Sequence, residues 1–300
     1  MALLAKHRSR VLGVTLSEPA RCNPVTLEIA AELLNHLTSA EADEATRSVL
    51  LHGVERTFSS GGDLRAMPPG DAAVADTRLP VYTSLVTAMA QSRLPLVCAI
   101  EGTAAGIALG VATACDFIVS ADDARSLLPF TRLGLFPDGG LQEGLAARVG
   151  HGRARALLLL GDSVSAAEAY NMELVDRHTP PGADAVAVAH RVASDLAALA
   201  LLSVSGIKQR FTAGVHDLFT ALEMARTIQS DLYFSSDFLE GPGRSSRSVH
   251  RASPVASCGE SQASRRASRP ALALTGLRRR PPTARSARPS GLSGFEPQRQ

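Results

Sequence analysis

Phe58-Ser-Ser-Gly-Gly-Asp-Leu64 and Ile100-Glu-Gly-Thr-Ala-Ala-Gly-Ile-Ala-Leu-Gly110, the second running on to Cys115-Asp116, decide the fold. Each reads as a glycine-centred turn that leaves backbone N–H groups unpaired. Gly61-Gly62 permits close approach and unusual backbone angles. Gly106-Ile107 lies near the start of a helix expected over Gly102 to Ala114, where free N–H groups and a partial positive charge are presented. Two such donors, one each from Gly62 and Ile107, would polarise a carbonyl oxygen if they converged. A Gly-Gly turn after a strand is more often structural than functional, so the weight rests on the pair.

Outward from these turns, apolar runs predict buried strands at Val11–Leu16, Ser48–Val54, Leu96–Ile100 and Asp116–Ser120. Asn23-Pro24 predicts a helix start, with Asn as N-cap and Pro first, and Leu27, Ala30, Leu34 and Leu37 recur at helical spacing. A further helix is expected over Pro80 to Gln91, with Val81, Leu85 and Met89 on one side. Strand and helix alternate, which argues for an α/β layered core. From Gly152 the pattern turns helical: Ala154–Leu160, a capping box at Ser165-Ala-Ala-Glu168, then Ala185–Leu201 and Val215–Phe234. The reading divides the chain into a core at 1–150, a helical region at 151–240 and a tail at 241–300.

The net charge of +2 conceals an asymmetry. Residues 241–300 carry 12 Arg and 2 Glu, a net of +10, which leaves 19 basic and 27 acidic residues, a net of −8, in 1–240. That mildly acidic core gives no support to nucleic-acid binding. The tail is rich in Arg, Ser and Pro and loses apolar periodicity, so disorder is expected. A basic binding tail and disorder without a role are two readings of it. The one preferred is out-of-frame translation of a GC-rich gene, because the mixture starts abruptly after Glu240. No CxxC or CxxH spacing joins Cys22, Cys98, Cys115 and Cys258, so no metal is expected, and a reduced cytoplasmic setting fits. Neither a signal peptide nor a membrane span is read.

Three segments resemble the crotonase superfamily of enoyl-CoA hydratases and isomerases: Phe58–Leu64, Ala99–Gly106 with Cys115-Asp116, and Leu133-Gly-Leu-Phe-Pro-Asp-Gly-Gly140. Arg21-Cys-Asn23 and Leu160–Ala169 with Leu174-Val175 agree in order and spacing, so the resemblance covers about 11–240. It implies an α/β fold, a crotonase-like spiral of ββα turns with a C-terminal helical region. It also implies trimers or hexamers, an acyl-CoA thioester as ligand, and no cofactor beyond the coenzyme A of the substrate. It assigns the oxyanion donors to Gly62 and Ile107, flanked by Gly61 and Gly106, and an adenine contact to Ser60. Arg21 and Arg65 are candidates for CoA phosphates, or equally for solvated surface charges.

The departures narrow the chemistry. The two glutamates of the family's hydratases fall at Gly110 and Phe130 here, and Ile107 adds bulk over the pocket. Asp138 matches the lone carboxylate of family members that move a double bond, which needs only one acid–base group. A turn residue before Gly139-Gly140 is the plain alternative. Glu143 would serve a hydratase with a non-standard carboxylate, and an acyl-CoA-binding homologue without turnover is the third reading. Asp63 is expected to cap the turn, and His52 and His151 to be structural.

Overall fold

The computed structural model describes residues 2–68, 72–214 and 217–239, all within one compact unit. The expectations for 241–300, and Cys258 with them, lie outside the described residues.

In chain order the elements are β1 (Leu3–Arg8), β2 (Val11–Leu16), α1 (Leu27–Ala42), β3 (Ser48–Gly53), α2 (Ala72–Gln91), β4 (Leu96–Ile100), β5 (Thr103–Ala105), α3 (Ile107–Thr113), β6 (Phe117–Ser120), β7 (Arg125–Leu127) and α4 (Phe130–Leu133). There follow α5 (Leu141–Val149), α6 (His151–Leu160), β8 (Ser163–Ser165), α7 (Ala166–Asn171), β9 (Arg177–His178), α8 (Ala185–Ala197), α9 (Leu201–Thr212) and α10 (Leu218–Tyr233).

The larger sheet runs β1-β2-β3-β4-β6-β9, parallel throughout except for the β1–β2 hairpin. A smaller sheet runs β5-β7-β8. Two successive turns each place one strand in each sheet and then a helix: β4, β5, α3 and β6, β7, α4. The turn before them is β3, an isolated bridge from Ser59 to Ala104, and α2. This is the expected ββα spiral.

The central strands are apolar without alternation because both faces are covered. One face carries Leu12, Val14, Val49, Leu51, Cys98 and Ile118 into the main core. The other carries Val11, Leu50, Val97, Ala99 and Val119 against Ala185, Ala189, Val192 and Ala193 of α8.

Several boundaries differ from expectation. Asn23 is not an N-cap: its φ is +52°, and Thr26 caps α1 by accepting from the Ile29 N–H. Asn23 is instead fully buried, accepting from the Glu18 N–H (2.8 Å) and donating to the carbonyls of Thr57 (2.6 Å) and Val54 (3.3 Å). It ties the β2–α1 connection to the loop after β3. Helix α2 begins at Ala72 and carries Pro80 inside it rather than at its start. The expected helix from Gly102 gives way to strand β5, and α3 starts only at Ile107 because Gly106 (φ +52°, ψ −122°) breaks the chain direction there. The single helix expected over Ala185–Leu201 ends at Ala197, Leu201 opening α9 instead, and α10 runs from Leu218. The Ser165–Glu168 capping box is present.

Candidate active site

Pairing of the loop after β3 with β5 places the two glycine-centred turns side by side. Phe58 N–H donates to Glu101 O (2.8 Å), Ser59 N–H to Thr103 O (2.8 Å) and Ala105 N–H to Ser59 O (3.1 Å). Gly61 has φ +88°, and a methyl group on it would stand 2.4 Å from the Ala105 carbonyl oxygen. Only glycine permits that approach. The Gly61 N–H is taken by Ser59 Oγ (3.1 Å) and the Gly106 N–H by Leu127 O (3.0 Å). The Gly62 and Ile107 N–H groups, by contrast, have no acceptor among the described residues.

Those two residues line a cavity of about 500 Å³ together with Ser60, Gly106, Arg78 and Asp138. Most of the remaining wall is apolar. A methyl built on Gly62 would meet Ile107 Cγ2 at 3.7 Å, so the two donors are neighbours in space as well as in the cavity lining. The bulk of Ile107 is accommodated by the turn above it. Gly139 and Gly140 both take positive φ (+59° and +67°), and a methyl on Gly139 would lie 1.9 Å from Ile107 Cδ1. The Ile107 side chain therefore occupies the space that a Gly139 side chain would need.

That turn carries Asp138 into the cavity wall. Asp138 is half-buried, and burial raises its pKa above the ordinary carboxylate value. Its own backbone hydrogen bond and the charge of Arg78 act in the opposite direction. The turn also closes the space at Gly110, where a methyl would stand 2.9 Å from the Gly139 carbonyl oxygen. Phe130 is 5% exposed and lines the same cavity. Neither position supplies a carboxylate.

The remaining candidates sit apart. Asp63 caps the turn at Leu64–Ala66, accepting from the Arg65 N–H, and forms ion pairs with both Arg21 and Arg65. Arg21 also pairs with Glu18 (2.8 Å) and lines a separate cavity of about 300 Å³, which Asp63 and Arg78 also line. Glu143 and His151 line a third cavity of about 490 Å³, which meets the Asp138 cavity at Leu135 and Phe136. His52 bonds to Thr15 Oγ1 (3.0 Å) and the Gly53 carbonyl (3.1 Å).

Arg78 and Tyr82 were not singled out in the sequence. They are 5% and 1% exposed, one helical turn apart on α2, and one guanidinium nitrogen donates to Tyr82 Oη at 2.8 Å. Tyr82 donates onward to the Val25 carbonyl (2.8 Å), and burial, opposed by Arg78, pushes its pKa up to about 12. The signal was an arginine at the four-residue spacing of Tyr82. A helix that starts at Pro80 leaves that arginine outside it.

A family model described as enoyl-CoA hydratase/isomerase matches residues 6–244. The 1,2-epoxyphenylacetyl-CoA isomerase of Escherichia coli K12 is 32% identical over 250 residues, covering 80% of this chain and 93% of that one. The crystal structure of an enoyl-CoA hydratase from Polaromonas sp. JS666 superposes with a TM-score of 0.78 at 28% identity, covering 83% of this chain and 98% of that one. A Thermobifida fusca YX protein assigned as an enoyl-CoA hydratase, solved in complex with CoA, matches with a TM-score of 0.70 at 27% identity, over 77% of this chain and 92% of that one. The fold is that of the crotonases, with a helical C-terminal region.

Proposed function

The chain belongs to the enoyl-CoA hydratase/isomerase family, and we propose that within it the protein shifts a carbon–carbon double bond in an enoyl-CoA thioester. One observation carries this reading: Asp138 is the single carboxylate among the described residues lining the cavity that holds the Gly62 and Ile107 N–H groups. Hydration in the two-carboxylate manner needs a second acid–base group to activate water, and the two places for it hold Gly110 and Phe130.

The reaction needs one proton-transfer group and one site for negative charge. The Asp138 carboxylate takes the proton from the carbon beside the thioester of a 3-enoyl-CoA. The C–H electron pair moves into the thioester, and the dienolate oxygen accepts hydrogen bonds from the two backbone donors. Asp138 then returns the proton two carbons along, and the conjugated 2-enoyl-CoA results. A pKa raised by burial suits both halves, since it strengthens the base without removing the acid from reach. Removing a donor of this kind costs roughly 3–4 kcal/mol in the transition state. No redox change occurs, so the cycle needs no cofactor beyond the CoA of the substrate. Ser60 contacts the adenine of CoA, Gly61 and Gly106 shape the thioester end, and Arg21 and Arg65 serve the CoA phosphates. The protein acts as a trimer or hexamer: α10 has no buried residue and exposes Leu218, Phe219 and Leu222, a face that a second copy would cover.

The test is conversion of 3-enoyl-CoA to 2-enoyl-CoA by the purified chain and by Asp138→Asn. Equal rates in the two proteins would remove Asp138 from the mechanism. Binding of acyl-CoA without turnover in either would favour a non-catalytic homologue. Hydration of crotonyl-CoA that is lost in Glu143→Gln would favour the hydratase.

A further inference from the structure

Arg78 is the one strongly buried charge in the cavity wall among the described residues, and the proton-transfer scheme does not use it. It lies on the core-facing stripe of α2, which continues through Tyr82, Leu85 and Met89. An arginine at such a position is costly unless its charge is matched.

Its contacts among the described residues hold it without neutralising it. The Tyr82 hydroxyl accepts from one terminal nitrogen, and the Tyr82 ring lies 5.4 Å from the guanidinium carbon. Since the Tyr82 proton is committed to the Val25 carbonyl, the hydroxyl is an oriented acceptor. No described carboxylate is ion-paired with Arg78; Glu28 and Asp138 feel its charge at longer range. The same guanidinium comes within 3.4 Å of where a Gly62 side chain would begin, at the donor end of the cavity. Leu64, Met67, Leu79 and Phe130 line the same cavity.

A hydrocarbon acyl chain in this cavity would shield Arg78 from water and leave its charge unmatched. A carboxylate borne on the acyl group would accept two parallel hydrogen bonds from the planar guanidinium in an apolar surround, the setting in which such pairs are strongest. We propose that Arg78 is a specificity-determining residue that selects acyl-CoA substrates carrying a second carboxylate on the acyl group, the CoA thioesters of short dicarboxylic acids. This rests on the acyl-CoA reading above and names the substrate class of that same cavity.

The experiment is calorimetric titration of the full chain at 0.15 M salt, roughly physiological ionic strength, with two unreactive pairs of equal carbon number: glutaryl-CoA against valeryl-CoA, and adipyl-CoA against hexanoyl-CoA. At least one diacid thioester is expected to bind about tenfold or more tightly than its neutral partner. Arg78→Met is expected to abolish that preference, weakening the diacid thioesters and binding the neutral ones as well as wild type or better, since no unmatched charge is then shielded from water. Arg78→Lys should retain part of it, because a point charge replaces the fork. Wild-type ratios near one in both pairs overturn the inference and leave the acyl-CoA reading standing. Failure of all four thioesters to bind overturns both. The wild-type ratios decide the matter even if the Met variant does not fold.

Discussion

The cavity has two kinds of wall. One is backbone: Gly62 and Ile107 offer N–H groups positioned by strand pairing between Phe58–Ser59 and Glu101–Ala105. The other is side chain: Asp138 on the glycine turn before α5, and Arg78 on α2 held by Tyr82. The backbone wall survives the change to Ile at 107, because a main-chain donor is indifferent to the side chain it carries provided the bulk has somewhere to go. Gly139 supplies that room. The side-chain wall has no such tolerance. Gly110 and Phe130 supply no carboxylate, and under the proposed reaction the chemistry depends on Asp138 alone.

The sharpest way to break this contrast is Asp138→Asn, which keeps the shape and removes the proton transfer. Isomerisation is expected to fall by about 10²–10⁴-fold in kcat, or roughly 3–5 kcal/mol at 1.36 kcal/mol per decade. Stability should move the other way. Burial raises the pKa of Asp138 in the folded state, so the folded chain holds this proton more tightly than the unfolded chain. Its contribution therefore falls as pH rises from the ordinary carboxylate value through the raised one. At neutral pH the Asn variant should melt at the same temperature or higher. Parallel loss of activity and Tm would show that Asp138 is a structural turn residue.

The backbone wall is tested by Gly61→Ala, which adds one carbon where the Ala105 carbonyl oxygen stands 2.4 Å away at φ +88°. A loss of about 1–3 kcal/mol in stability is expected by denaturant titration, together with weaker acyl-CoA binding. A fully stable, fully active variant would mean that the close pairing of the two turns is not needed.

The same contrast explains what could be read in the sequence. The strands β2, β3, β4 and β6 were legible because burial on both faces leaves continuous apolar runs. The three-residue strands β5, β7 and β8 were not, since so short a segment has no period. Gly62 and Ile107 were legible because unpaired backbone donors follow from turn chemistry. Asn23-Pro24 and Pro80 are illegible for one reason: proline signals a helix start, whereas Asn23 adopts a left-handed conformation that asparagine tolerates better than most residues, and α2 absorbs Pro80 in its interior. The second case conceals Arg78, two residues upstream. Side-chain walls depend on which helix face is buried, and a displaced helix start hides that face.

The two residues of the side-chain wall are linked through charge: Arg78 lowers the Asp138 pKa against the effect of burial. If Asp138 must be ionised in the free enzyme, kcat/KM should rise with pH through its ionisation, and Arg78→Met should displace that acidic limb to higher pH. A limb that stays in place would separate the two residues and leave Arg78 with substrate recognition alone.

The smallest expected effect tests where the side-chain wall ends. Glu143 stands beyond Leu135 and Phe136, in the neighbouring cavity with His151. With Phe136 76% exposed, the boundary between the two cavities is an apolar partition that the chain does not pack from both sides. If the partition holds during turnover, Glu143→Gln should change isomerisation by less than about twofold, because an exposed charge outside the cavity acts across solvent. A loss of tenfold or more would mean that the two cavities operate as one. Glu143 would then be a second carboxylate within reach of substrate, and water activation would return to the chemistry that the loss at Gly110 and Phe130 removed.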